Sequence, residues 1–482
     1  MSLKQKSGVA LAWDLGGTIV KSLGGFVISI FLARLLTPEE FGLVGMAMVF
    51  ITVSQVFIDV GFASSLIQSK KTTNLSYSSV FWLNLVMGFV LTAIFYLSAS
   101  YIGNFYDNQE ITNIVQWLSL IFLLNSFCIV QTALLKKKLN FKVLSLSNML
   151  AGIIGGIVGV VFAFMDYGVY SLVIQNIITA ILLTIFLWSA ADWKPDFKFS
   201  FNEIKKLTGY STYVFVDRFV SSLFERLDII VIGKVLSPAT LGFYTRAVSL
   251  KSLVTKYSSS SISKVFFPVL SSIQDDDEQF ERVYFKIVSI VSFISFGLTG
   301  VLYVLGEDII ILLFGNKWMP SVTIFQILII SACNYPLSSM MVNAFMSKGK
   351  SKENFYIGLF RKAIRIVPLY LAYKYGIVSF AVGVVVVSYF LTITNMMFLK
   401  KFTNLSLRMH FKKIFEGIIP LIIIILVYQM LNPEQMIYRI GLALLFIITY
   451  IGYNHLLKTE GYTFVKSNYP LVINKIQKKL RV

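Results

Sequence analysis

The chain has 482 residues but only two cysteines, two histidines and ten prolines, and charged residues make up just 14% of it. Cys128 and Cys333 each lie inside an apolar run, which argues against a disulfide framework and for two unpaired core thiols. His410 and His455 both fall near one predicted membrane boundary, so no histidine relay crosses the apolar region. No Gly-rich Walker-type loop is present, which argues against direct ATP hydrolysis. Acids are scarce as well, 24 against 43 Lys and Arg. Hydrocarbon is abundant: 56% of residues are hydrophobic and the mean hydropathy is +0.75, far from the balance of a soluble globule. In lipid every backbone polar group must be satisfied internally, so apolar runs of about 20 residues must be spanning helices. They are too long and too uniformly apolar for barrel strands. The first run, from Gly8 to Leu32, carries Asp14 and Lys21 and has no small-residue cleavage pattern after it, so it reads as a span and not as a removable signal.

One stretch occurs twice. Ala33-Arg34-Leu35-Leu36-Thr37-Pro38-Glu39-Glu40-Phe41-Gly42 corresponds to Gly233-Lys234-Val235-Leu236-Ser237-Pro238-Ala239-Thr240-Leu241-Gly242. Each copy sets a cation, a small hydroxyl, a Pro and a Gly between two apolar runs, the pattern of a tight turn between helices. Tyr167-Gly168-Val169-Tyr170-Ser171 and Tyr375-Gly376-Ile377-Val378-Ser379 form a second pair of anchors. Internal duplication of this size is how many transporters are built, because a site between repeats opens to either side as one half rocks.

Apolar runs and their breakers predict helices over 9–33, 41–64, 79–102, 111–135, 143–165, 169–190, 207–233, 240–270, 282–305, 321–346, 354–373, 377–399, 412–431 and 437–456. The expectation is an all-α integral membrane protein of about fourteen transmembrane helices. It comprises a six-helix lobe over 1–192, a pseudo-symmetric six-helix lobe over 200–402, and two extra helices with a basic amphipathic tail over 403–482. Alternate loops collect the cations: Lys70 and Lys71; Lys136, Lys137, Lys138 and Lys142; Lys194, Lys198, Lys205 and Lys206; Lys348, Lys350 and Lys352; Lys400 and Lys401. The other loops hold at most one each, Arg34, Lys234, Lys317, Lys374 and Arg439. By the positive-inside rule both termini are cytoplasmic and the two Pro-Gly turns face outward. The net charge of +19 is therefore read as anchoring to anionic lipid headgroups, not as a nucleic-acid surface. The Asp275–Glu278 run reads as a solvated loop; neither a metal nor a cofactor is implied.

Ionisable residues inside spans are costly and point to function. Asp14, Thr18, Lys21 and Gly25 share a stripe of the first helix, and Asp217, Ser221 and Asp228 share one face of the seventh, with Arg218 and Glu225 on the adjoining one. The first helices of two repeats are expected to face one another, which would put these polar faces on one cavity. Helix-to-helix ion pairing is the alternative for any single residue. Lys251 and Lys256 lie deeper in the eighth helix than Arg246, which is expected to snorkel outward. Lys21, Arg218, Lys251, Lys256 and Arg365 are the candidate cavity cations. Asp14, Asp217, Glu225 and Asp228 are candidate coupling-ion ligands. Asp59 is expected to act as a cap or interhelical hydrogen-bond partner, and Trp82, Trp117 and Trp318 as an interfacial belt.

The stretch Leu32-Ala33-Arg34-Leu35-Leu36-Thr37-Pro38-Glu39-Glu40-Phe41-Gly42-Leu43 resembles the polysaccharide exporters, the Wzx-type and colanic-acid-exporter flippases of the MATE-like MOP superfamily. Asp59–Gln68, Asp228–Gly233, Phe266–Leu270 and Gly376–Gly383 carry the likeness further. The resemblance implies a fourteen-helix fold in the bacterial cytoplasmic membrane. Its implied activity is transfer of an undecaprenyl-diphosphate-linked oligosaccharide from the inner to the outer leaflet, in company with membrane lipids and polysaccharide polymerase machinery. In related flippases a cationic cavity takes the diphosphate; the cations named above are candidates by position, not matches to that family. Three readings compete: a multidrug cation antiporter of the same fold, a peptidoglycan-precursor flippase, and a membrane glycosyltransferase or polymerase. The antiporter wants an acidic cavity, and the enzymes want a large extramembrane loop or an acidic metal motif.

Overall fold

The computed structural model describes residues 3–69, 71–403 and 405–468, and among these all regular structure is helical. Ten stretches of the described residues are long and apolar enough to cross a bilayer, eleven if one bent pair counts as a pass. This is an all-α membrane protein. Cα packing divides it into two compact units, Met1–Gly242 and Phe243–Val482.

The first unit contains α1 (Leu3–Leu35), α2 (Pro38–Ser54), α3 (Val56–Asp59), α4 (Phe62–Gln68), α5 (Asn74–Phe105), α6 (Gln109–Ser126), α7 (Ile129–Lys137), α8 (Phe141–Phe164), α9 (Val169–Ala190) and α10 (Phe201–Val235). The turn after α1 forms as the repeat predicts. Thr37 caps α2, accepting from the Glu40 N–H (3.3 Å) while its own N–H donates to Glu40 Oε2 (2.6 Å), and Pro38 occupies the first helical position, where its missing donor costs nothing. The second copy repeats the cap, Ser237 Oγ accepting from the Thr240 N–H (3.1 Å) ahead of α11 (Pro238–Ser272). The two copies then meet. A Cβ on Gly42 would be driven into the Pro238 carbonyl, and one on Gly242 into the Pro38 carbonyl. Two helix starts thus cross backbone against backbone, a separation that only glycine allows.

The other end of this unit is irregular. A continuous helix over 41–64 was expected; instead the chain breaks after Ser54 and again at Val60 and Gly61, whose φ values are 45° and 81°. The cause is packing: a Cβ at Gly61 would lie 2.6 Å from the Ser211 carbonyl, so the segment folds against α10 there. Ser65 Oγ donates to the Leu207 carbonyl (3.2 Å) one turn away. Phe62, Leu66, Val80, Phe81, Val130, Ala133, Ile204 and Leu207 form the apolar cluster beneath. Likewise the expected 111–135 helix is α6 and α7, bent by 40°.

The second unit holds most of α11 with α12 (Asp277–Val304), α13 (Gly306–Phe314), α14 (Pro320–Ile330), α15 (Asn334–Ser347), α16 (Ser351–Ile364), α17 (Val367–Thr403), α18 (Leu407–Leu431) and α19 (Met436–Leu456). Its centre is α12, whose buried face carries Tyr284, Phe285, Val288, Val291 and Phe296. The two helices after the repeats pack on it. Tyr284 Oη and His410 Nε2 are 2.9 Å apart, Tyr450 Oη donates to the Phe293 carbonyl (2.8 Å), and Arg439 grips both carboxylate oxygens of Asp308 at 2.8 Å. The Asp275–Glu278 run is exposed as expected, with Asp275 and Asp276 in the connection and Asp277 and Glu278 opening α12: Asp276 Oδ1 accepts from the Gln279 N–H (2.9 Å) and Asp277 pairs with Lys348. Three expectations are corrected. The short helix α13 stands where a loop was predicted; Trp318 is fully buried and not part of an interfacial belt; and Arg246 does not snorkel but lies over the Phe314 and Trp318 rings, 6.0 and 5.8 Å from their centroids. Gly376, at φ 81°, interrupts α17 where the twelfth helix was expected to begin.

Candidate functional site

Asp59 ends α3, beside the break in the second span, and does two things. Its Oδ1 accepts from the Ala63 N–H (2.7 Å), satisfying an orphan donor of α4, and its Oδ2 accepts from Arg218 Nη1 (3.0 Å). The cap and the interhelical bond expected for Asp59 are both present. Arg218, on α10, spends a second donor on Ser64 Oγ (2.8 Å). Its side chain keeps 47% of its exposure, against 16% for Asp59. Ser64 was not singled out from the sequence, although it lies in one of the stretches that carry the resemblance.

Lys21 Nζ donates to Asn148 Oδ1 (3.0 Å), joining α1 to α8. In the second unit Lys251 Nζ donates to Ser331 Oγ (2.7 Å), at the residue that ends α14 before α15 begins. Arg218 and Lys251 therefore each hold a neighbouring segment where its helix is broken. Neither Asn148 nor Ser331 was anticipated; a polar residue inside an apolar run was the only available signal. Of the remaining candidates, Arg365 is exposed and follows the last residue of α16, Asp217 and Glu225 are exposed on α10, and Asp228 is half-buried with Oδ1 accepting from the Ile229 N–H (2.9 Å). The side chains of Asp14 and Lys256 lie outside the described residues. The structure thus brings Arg218 together with Asp59 and Ser64, and gives Lys21 and Lys251 partners of their own.

Next to the Asp59 break, Ser65, Gln68, Ser69, Lys71, Ser76, Glu203, Lys206 and Leu207 line an open recess of about 420 Å³. Glu203, in the first turn of α10 ahead of the apolar stretch, accepts from Lys206 and from the Ser76 hydroxyl, and those two bonds hold its carboxyl below the ordinary range. Lys137 closes the adjoining loop by donating to the carbonyls of Leu66 (2.8 Å) and Ser69 (2.9 Å) and to Thr72 Oγ1 (2.7 Å). A second recess, of about 390 Å³, lies between α1 and α8 and is lined by Trp13, Gly16, Gly17, Val20, Ser145, Leu146 and Met149.

A membrane protein of the cps region of Klebsiella pneumoniae is 25% identical over 80% of this chain and 80% of its own length. The lipopolysaccharide biosynthesis protein WzxC of Escherichia coli is 24% identical over 80% of this chain and 78% of its own. Among solved structures, the lipid II flippase MurJ in an inward closed conformation superimposes with a TM-score of 0.73 at 16% identity, covering 92% of this chain and 99% of that one, which shows a shared fold. Residues 31–323, a stretch that begins before the first Pro-Gly turn and runs well beyond the second, match the polysaccharide biosynthesis protein family, and the chain belongs to that family.

Proposed function

We infer that the chain is a flippase that moves lipid-linked oligosaccharide repeat units across the bacterial cytoplasmic membrane for surface polysaccharide synthesis. The observation that carries this reading is the family match across both copies of the repeat, supported by the MurJ-like fold. A sugar headgroup bearing phosphate cannot enter hydrocarbon without losing its water, and that desolvation must be replaced by protein groups.

The lipid carrier we propose is undecaprenyl diphosphate, with Lys21, Arg218, Lys251, Lys256 and Arg365 as ligands for the diphosphate and Asp14, Asp217, Glu225 and Asp228 as candidates for a coupling ion. Export then proceeds by alternating access of the repeats, 1–192 and 200–402, and a polysaccharide polymerase consumes the product. We take the number of passes as fourteen. The 53-residue stretch Ser351–Thr403 holds α16 and α17, about 80 Å of helix in total with interruptions at 365–366 and Gly376, enough for two passes of a 30 Å core. The bent pair α6–α7 makes one more, and α10 and α11, 35 residues each, fall short of an apolar criterion because they carry the charges a polar path requires. With both termini cytoplasmic, the Pro-Gly turns face outward.

The test is the lipid pool of cells lacking the protein. Complete lipid-linked repeat units should accumulate on the inner leaflet. Truncated units would point to a glycosyltransferase, and an unchanged pool with new drug sensitivity to an antiporter; either overturns the flippase reading.

A further inference from the structure

We propose that Asp59 is a resident counter-ion that the anionic headgroup of the substrate displaces from Arg218, so that loading loosens the broken end of the second span. The idea rests on the flippase reading above and adds the residue that holds the cation in the empty protein. Three observations carry it.

The pair is not the strongest one its groups can make. A guanidinium and a carboxylate pair best through two parallel bonds, yet Arg218 gives Asp59 one donor at 3.0 Å and turns the other to Ser64 at 2.8 Å, while the second carboxylate oxygen serves the Ala63 N–H at 2.7 Å. A diphosphate has more oxygens and more charge, and it can engage both donors at once. The two partners also differ in access. Arg218 keeps 47% of its side-chain exposure and Asp59 16%, so an entering anion meets the cation first. Solvent reaches the cation side of the pair and screens it, which weakens the bond relative to a fully enclosed one and is what exchange requires.

The third observation is the backbone next to the carboxylate. Val60, a β-branched residue, sits in the left-handed region at φ 45°, and Gly61 follows at 81°. Such a conformation is strained for valine and persists only where its surroundings hold it. The Asp59 side chain spans the break: bonded to Ala63 on the far side and to α10 through Arg218, it ties α3, α4 and α10 together. Withdrawal of Arg218 removes one of those ties. Asp59 is thus a positioning residue, and Arg218 is the group that meets the headgroup.

A purely structural ion pair makes the opposite prediction from an exchangeable one. Farnesyl diphosphate is the probe, its affinity measured by titration calorimetry on the full-length protein in detergent, with export followed in cells. Asp59→Asn is expected to bind the probe about fivefold more tightly, the size of one solvent-screened ion pair released from competition, and to export at a lower maximal rate with a lower half-saturating substrate level. Arg218→Gln is expected to lose binding, and Asp59→Asn/Arg218→Gln to behave as Arg218→Gln. Should Asp59→Asn fail to fold, Ser64→Ala frees the same guanidinium on its other side and is expected to tighten binding about twofold. Equal weakening by Asp59→Asn and Arg218→Gln, or recovery of binding in the double variant, overturns the proposal. If the unaltered protein exports repeat units and binds the probe but the variants match it, this inference fails alone. If cells lacking the protein show no accumulated units, the flippase reading fails first.

Discussion

The two ends of the first unit solve one problem, holding α2 and its continuation against a neighbouring helix, in opposite ways. Where the Pro-Gly turns cross, contact is backbone on backbone: Gly42 lies on Pro238 and Gly242 on Pro38, each helix begun by a side-chain cap and a proline. At the other end the chain breaks twice, adopts a left-handed valine, and is held by an ion pair with an exposed cation. The crossing has no side chain that can yield. The break consists of contacts that can be exchanged one at a time.

That contrast orders the effects expected of substitutions. Gly42→Ala and Gly242→Ala should each cost on the order of 3 kcal/mol or more, because the obstacle is a carbonyl that no rotamer change removes; unfolding in detergent measures it, and a variant as stable as the parent would dissolve the idea of a rigid crossing. Gly61→Ala combines a positive φ with a Cβ 2.6 Å from the Ser211 carbonyl and should cost on the order of 2 kcal/mol. If it costs more than Gly42→Ala, the ranking of the two ends is wrong. Removing the cap with Thr37→Ala should cost about 1 kcal/mol. Val60→Asn should instead raise the melting temperature, by relieving about 1 kcal/mol of left-handed strain, whereas no substitution at the crossing is expected to stabilise. Destabilisation by Val60→Asn would show that the valine side chain matters more there than its backbone.

The smallest effect sharpens the comparison through pH. The bonds from Lys206 and Ser76 depress the folded pKa of Glu203, so its contribution to stability is complete above the unfolded value near 4.5 and is lost as pH falls through the lower folded value. Melting temperatures taken from about pH 6 down to about pH 3 should decline less steeply in Glu203→Gln than in the parent. Parallel curves for the two proteins would remove Glu203 from the account of this end.

Much of the architecture was legible because hydrophobic length and breaker residues act locally. The repeat placed both capped Pro turns, and the predicted spans fall on helical stretches among the described residues, four of them divided between two or more helices. Discontinuities inside the spans were not legible: nothing in Val56–Gln68 is a stronger breaker than the glycines of α8, which remain helical. The difference is the Ser211 carbonyl, contributed from a residue far along the chain. Trp318 and Arg246 were misread for the same reason, since a rule about membrane depth cannot register that one stacks on the other.

The site divides along that line. Residue type and spacing alone identified Arg218, Lys21 and Lys251 as charges a membrane helix must put to use, and assigned Asp59 to capping or bonding, because the cost of an ionisable group in hydrocarbon depends only on where it falls in an apolar run. Which partner each cation takes was decided by tertiary structure. Asp59 and Ser64 meet Arg218, Asn148 meets Lys21 and Ser331 meets Lys251, pairings that bridge residues far apart in sequence and are fixed by how the helices pack. The packing boundary at Gly242 belongs to the same class: α10 packs on α2, α4 and α5 of the first unit, because helices associate by the faces they present and not by their order in the sequence.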